Sequence, residues 1–129
     1  MSESGCVLDA SAVLALLHGE PGAEVVERLV EGAAISAVNW SEVRQRWLAR
    51  RLEVDGLRPD VEALGLKILP FTADDGEHAA DLWPATREHG LSLGDRSCLA
   101  LAHRLGLRAF TADRAWLDLD LGVEVEAIR

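Results

Sequence analysis

Cys6-Val7-Leu8-Asp9-Ala10-Ser11-Ala12-Val13-Leu14-Ala15-Leu16-Leu17-His18 carries two secondary-structure signals back to back. Residues 6–9 are a short apolar run closed by a carboxylate, as expected of a strand buried on both faces. Residues 11–18 continue at helical length, so the strand passes directly into a helix. The same alternation recurs outward from this stretch. Further strands are predicted over 34–38, 67–72, 108–112 and 123–128, the last alternating Val123, Glu124, Val125, Glu126 and therefore placed at an edge with one wet face. Helices are predicted over 22–31, 40–53, 60–64, 74–83 with a break at Pro84, and 95–105, with a short turn after Asp113 and a loop over 56–59. Short strands alternating with helices predict an α/β fold: a mainly parallel sheet of four to five strands, covered by helices.

Length and composition narrow the class. At 129 residues and 49% hydrophobic content the chain is expected to form one domain, 1–129, around one substantial core. Its longest apolar run, residues 12–17, is far short of the roughly 20 residues that cross a bilayer. Met1-Ser2-Glu3-Ser4-Gly5 lacks the features of a secretory signal, so a cytoplasmic protein with no membrane partner is expected. Cys6 and Cys98 form no metal or redox pair and read as reduced core residues. The four histidines lack the spacing that offers two imidazoles to one metal. Net charge is −9, the wrong sign for gripping nucleic acid over a broad surface. The counterweight is local: Arg44, Arg46, Arg50, Arg51 and Arg58 face only Glu53 and Asp55 in their stretch, a pattern that also describes a solvated helix face.

The layout gathers four carboxylates. In open α/β sheets ligands bind beyond the carboxyl ends of the strands. Asp9 ends the first strand, Glu42 begins the helix after the second, Asp113 ends the fourth, and Asp95 heads the buried stripe of its helix. Each has an ordinary explanation as well. Asp9 would cap the helix starting near Ser11 and Asp113 the turn after it, while Asp95 with Ser92, like Glu42 with Asn39, has capping-box spacing. Four carboxylates on one rim cannot all stay ionised without a cation, because like charges raise one another's pKa. An all-oxygen donor set suits magnesium, with manganese as a substitute, and the chemistry implied is phosphoryl transfer.

With these residues in place the sequence resembles the PIN-domain nucleases, and within them the ribonuclease toxins of VapBC toxin-antitoxin pairs. The match lies in Val7-Leu8-Asp9-Ala10-Ser11-Ala12, Ile35-Ser36-Ala37-Val38-Asn39-Trp40-Ser41-Glu42-Val43, Leu91-Ser92-Leu93-Gly94-Asp95 and Phe110-Thr111-Ala112-Asp113, in the family's order and nearly end to end. The resemblance implies a three-layer α/β/α sandwich, magnesium-dependent endoribonuclease activity, an RNA substrate, and a cognate antitoxin that blocks the site. It makes Asp9 and Asp95 the main metal ligands and Glu42 and Asp113 the supporting acids. Ser11 and Thr111 match hydroxyl positions that orient metal-bound water or a neighbouring carboxylate.

Other features have bland and sharp readings side by side. Arg46, one turn beyond Glu42, forms an ion pair with it or reaches a phosphate, and Arg96 beside Asp95 invites the same reading. Trp40, Val43 and Trp47 share a helical face that suits core or dimer contact, and the surplus apolar surface predicts a homodimer. Trp116 is expected to pack under the turn after Asp113. A dehalogenase-like phosphatase would need a second Asp where Ser11 stands. A phosphate receiver would need a Lys near a late strand end, and the only lysine is Lys67. The remaining alternatives are a catalytically silent PIN-like binding module, whose acidic rim docks a basic partner, and a PIN nuclease outside toxin-antitoxin systems. The acidic rim itself predicts an antitoxin that inserts an Arg or Lys among the four carboxylates.

Overall fold

In the computed structural model, which describes residues 5–129, five parallel strands form one sheet. The chain runs β1 (Cys6–Leu8), α1 (Ala10–His18), α2 (Ala23–Leu29), β2 (Ala34–Ser36), α3 (Ala37–Ala49), α4 (Leu57–Ala63) and β3 (Lys67–Leu69). It continues through α5 (Ala73–Asp81), α6 (Trp83–Thr86), α7 (Leu93–Leu105), β4 (Arg108–Thr111) and β5 (Val125–Ala127), with 3-10 helices at Arg87–His89 and Arg114–Asp118. Strand order is β3-β2-β1-β4-β5, every pair parallel. The predicted sheet is present, with β5 at an edge.

Alternation along the strands divides the core in two. Cys6, Leu8, Ile35 and Phe110 point to one face, where they pack with residues of α1 to α4. Val7, Ala34 and Ala109 point to the other, against Cys98, Leu99, Leu101 and Ala102 of α7 and the fully buried Trp116. The sandwich therefore has three layers. Burial of each large apolar side chain contributes about 1.5–3 kcal/mol.

The strand order positions the site. From β1 the chain builds outward through β2 to β3, then returns to lay β4 on the other side of β1. The direction of winding reverses between β1 and β4, and a crevice opens at such a switch point beyond the carboxyl ends of the strands. Leu8 pairs with Phe110, so the ends of these two strands lie side by side.

Several boundaries differ from expectation, each through a local cap. Residues 37 and 38 belong to α3 rather than β2, because the Ser36 hydroxyl accepts from Val38 N at 3.2 Å and starts the helix at once. Residues 70–72 leave β3 early: Thr72 caps α5 in a reciprocal pair with Asp75. Residues 57–59, expected as loop, are the first turn of α4, where Pro59 needs no amide hydrogen. Pro84 likewise opens α6 rather than ending α5, and the break falls at Leu82. Asp95 is not the first residue of α7, which begins at Leu93 behind the Ser92 cap. Cys6 and Cys98 are free and buried, as expected. Trp40 and Trp47 are half-buried against the first core and Val43 is fully buried, so this stripe packs largely within the chain. No helix among the described residues is long and apolar enough to cross a membrane. The reading of Met1 to Ser4 lies outside the described residues.

Candidate active site

Asp9 is the best-buried acid of the switch point, with 5% of its surface exposed. Its Oδ1 accepts from Ala12 N at 2.9 Å and from the Ser11 hydroxyl at 2.7 Å, and its Oδ2 accepts from the Thr111 hydroxyl at 2.6 Å. The two hydroxyls are themselves held by the far side of the crevice: Ala112 N donates to Ser11 Oγ, and Asp113 N to Thr111 Oγ1. Ser11 and Thr111 thus do one of the two jobs expected of them, orienting a neighbouring carboxylate.

The other acids arrive on separate elements. Asp95, in the first turn of α7, accepts from Ser92 N at 2.9 Å through Oδ2, while its own amide donates to the Ser92 hydroxyl. Asp113 caps the 3-10 helix at Arg114–Asp118, accepting from Ala115 N at 2.9 Å. Glu42 sits in the second turn of α3, where Asn39 Nδ2 donates to its Oε1 at 2.8 Å. The bland capping readings hold for Asp9, Asp95 and Asp113, and not for Glu42, because α3 starts three residues earlier than expected. Capping and convergence are not alternatives here. All four carboxylates line one cleft of about 220 Å³, together with Asn39 and Arg46.

Burial, more than mutual repulsion, perturbs the acids of the cleft. Burial pushes the Asp9 carboxyl up to about 6; the bonds from Thr111, Ser11 and Ala12 oppose that rise and the Asp95 charge adds to it. Asp95 is also raised, first by burial, against the Ser92 bonds, with Asp113 repelling it. The buried Cys98 thiol is driven well above its ordinary value, by burial first and then by Asp9, Asp95 and Glu42.

Asn39 and Gly94 also belong to this site, although the sequence offers Asn39 only as a capping partner of Glu42. Asn39 Nδ2 also donates to Gly94 O at 2.9 Å, tying α3 to the start of α7. Both partners are acceptors, so the amide orientation is set by chemistry. That leaves Asn39 Oδ1 buried and unpartnered. Gly94 lies so close that a methyl group there would sit 2.7 Å from Glu42 Cδ. Gly94 lies in the first turn of α7 without a positive φ, so the close approach of Glu42, not backbone conformation, accounts for a glycine here.

Arg46 lines the cleft, exposed and, among the described residues, in no salt bridge with Glu42. Arg96 does not line the cleft; its Nη1 donates to Ala79 O at 2.8 Å on α5.

Four carboxylates and an unpartnered amide oxygen form a donor set of hard oxygens, which fits a divalent cation such as magnesium. Among the described residues no three His, Cys, Asp or Glu side chains close into a ready coordination shell. One oxygen of Asp95 and one of Asp113 is engaged by its cap. The arrangement therefore suits a cation that keeps several waters and shares its shell with a substrate phosphate, rather than one caged by protein.

The PIN domain family model matches residues 6–121. No curated protein matches the sequence. Among solved structures the chain is similar to one in a toxin-antitoxin complex from Klebsiella pneumoniae, with a TM-score of 0.76 and 21% identity over 96% of this chain and 98% of that one. It is similar to one in VapBC2 from Rickettsia felis bound to a promoter DNA fragment (TM-score 0.71, 17% identity, 95% and 98% covered). FitAcB from Neisseria gonorrhoeae is a third (TM-score 0.68, 23% identity, 93% and 95% covered). At these identities the likeness is one of fold.

Proposed function

The chain belongs to the PIN-domain family, and from that premise we propose that it is a magnesium-dependent endoribonuclease, the toxin of a toxin-antitoxin pair, acting in the cytoplasm as a single domain. The observation that carries this reading is the convergence of Asp9, Glu42, Asp95 and Asp113 on one open cleft at the switch point. Asp9 and Asp95 would hold the cation, and Glu42 and Asp113 would support it or its waters. Ser11 and Thr111 fix the Asp9 carboxylate by donating to separate oxygens, so its orientation does not depend on the cation. Asn39 holds Glu42 at the cleft. The amino-terminal ends of α1 and α7 add positive dipole ends on the side where phosphate charge accumulates. A magnesium or manganese ion held there would supply Lewis-acid polarisation of the phosphate and acidify a water.

The same charge pattern points to the inhibitor. Two of the similar structures are named as toxin-antitoxin or VapBC complexes, and we assign this chain an antitoxin that places an Arg or Lys among the four carboxylates, exchanging one cation for another. The proposed homodimer has exposed apolar side chains to draw on at Trp83 and Leu93.

One observation favours a second reading, a silent binding module: the acids form no closed metal shell among the described residues. End-labelled RNA decides between them. Fragments that form with magnesium and vanish with EDTA support the nuclease; intact RNA under both conditions supports the silent module.

A further inference from the structure

The cleft does not stop at its acids. Ser11, Leu14 and Arg46 also line a second hollow of about 210 Å³, whose remaining walls are His18, Glu20, Arg50 and Arg129. The two share a floor on α1, where Ser11, Leu14 and His18 lie on one face at helical spacing. On α3, Glu42, Arg46 and Arg50 recur at intervals of four residues, so the groove between the helices changes sign along its length. Each interval is about 6 Å of helix. That is commensurate with the step between neighbouring phosphates on an extended strand.

The charge of the second hollow is opposite to that of the first. Three guanidinium groups face one side-chain carboxylate, Glu20, which stands 3.8 Å from Arg50 and 3.9 Å from Arg129, too far for a tight hydrogen-bonded pair. Arg129 is steadied by a 2.8 Å bond from its Nη1 to Pro21 O, and the His18 ring is stacked on Trp47 with centroids 4.9 Å apart. The hollow therefore has a fixed wall and guanidinium groups only loosely paired with Glu20, which a stronger anion can recruit.

We infer that this hollow is a phosphate subsite: it seats the backbone phosphate about two steps along from the one at the carboxylates, so a single RNA strand lies along the α1–α3 groove with Arg46 at the phosphate between them. The inference rests on the nuclease reading for the identity of the strand, and on the geometry of Arg46, Arg50 and Arg129 for the site. It answers the objection raised by the net charge of −9. Attraction is confined to one short track, which orients the strand toward the acidic cleft, while the rest of the surface repels it.

The test measures binding without cleavage, using a fluorescein-labelled oligouridylate of roughly eight nucleotides in EDTA. Arg50→Ala and Arg129→Ala are each expected to weaken binding about five- to tenfold, with Arg50→Lys recovering part of the loss. The slope of log affinity against log salt should fall in magnitude by about 0.7 for each phosphate contact removed. Glu20→Gln should act in the opposite direction and tighten binding. Circular dichroism confirms the fold of each variant. If all these variants bind like wild type with the same salt slope while wild type cleaves RNA in magnesium, the subsite is wrong and the nuclease reading stands. If binding depends on the arginines as described but wild type cleaves no RNA, the subsite stands and the nuclease reading falls.

Discussion

Asp9→Asn should make the metal-free protein more stable while removing its function. In the folded chain burial holds the Asp9 carboxyl at about 6, against 3.8 for the free group. Between those values the folded state binds more protons than the unfolded one, so stability is highest at low pH and is lost as pH rises through about 6. With about 1.4 kcal/mol per pKa unit, charging Asp9 costs the empty fold up to about 3 kcal/mol at neutral pH. Asparagine keeps the shape. Its oxygen still accepts from Ala12 N and Ser11, and its amide donates to Thr111 Oγ1, whose hydroxyl rotates to accommodate it. The variant should therefore exceed wild type by about 1–3 kcal/mol near pH 7.5 and match it near pH 3.5. Urea titrations in EDTA across that range read the difference directly. Magnesium at about 100 times its dissociation constant should then add about 2.7 kcal/mol to wild type only, closing the gap. A variant less stable than wild type at neutral pH in EDTA, or a difference that does not change with pH, would refute the reasoning.

Two glycines should respond oppositely to alanine. At Gly94 the new methyl displaces the Glu42 carboxylate, the end of a flexible side chain, so cleavage should fall at least about tenfold with a stability change below about 1 kcal/mol. At Gly76, where the nearest atom is Phe71 Cε2 at 3.5 Å, alanine should stabilise by about 0.5–1 kcal/mol and leave cleavage unchanged. Kinetic and urea measurements on both variants check the contrast. Arg104→Ala strips a buried carboxylate, Asp75, of the partner that bonds it at 2.9 and 3.1 Å. Burial alone would raise Asp75, yet the Arg104 and Thr72 bonds bring it below its ordinary value, so its stabilisation is present above about pH 4 and lost on acidification. Because the Arg104 side chain is partly exposed and the pair is screened by solvent, the variant should lose about 1–2 kcal/mol at neutral pH and keep less of the wild-type dependence on acid. In the antitoxin complex, raising magnesium should weaken binding, and replacing the inserted Arg by Ala should restore cleavage.

The strands and their order of burial were legible because a strand buried on both faces must be apolar throughout, as Cys6 to Leu8 are, and because Asp9 marks where burial ends. The convergence of the four acids was legible for the same reason: the carboxyl ends of parallel strands share one rim. What the sequence concealed lies in side-chain reach. Arg96 is adjacent to Asp95 in sequence, but one residue along a helix is a turn of about 100°, which carries it to α5. Asn39 pairs with Glu42 as neighbours on one helix face rather than across a helix start, a distinction set by Ser36 capping α3. The apolar run predicts a strand to residue 72, but Thr72 and Asp75 cap α5 reciprocally and end β3 at Leu69. The basic hollow joins α1, α3 and the residue Arg129, distant segments that only the fold brings together.

Magnesium titration by calorimetry on wild type, Asp9→Asn and Asp95→Asn, with RNA cleavage measured on the same samples, tests the central claim most directly. Wild type should show a binding isotherm and magnesium-dependent cleavage, and both variants should lose the isotherm and the cleavage while their circular dichroism stays native. Variants that bind magnesium and cleave RNA as wild type does would contradict the assignment of the four carboxylates.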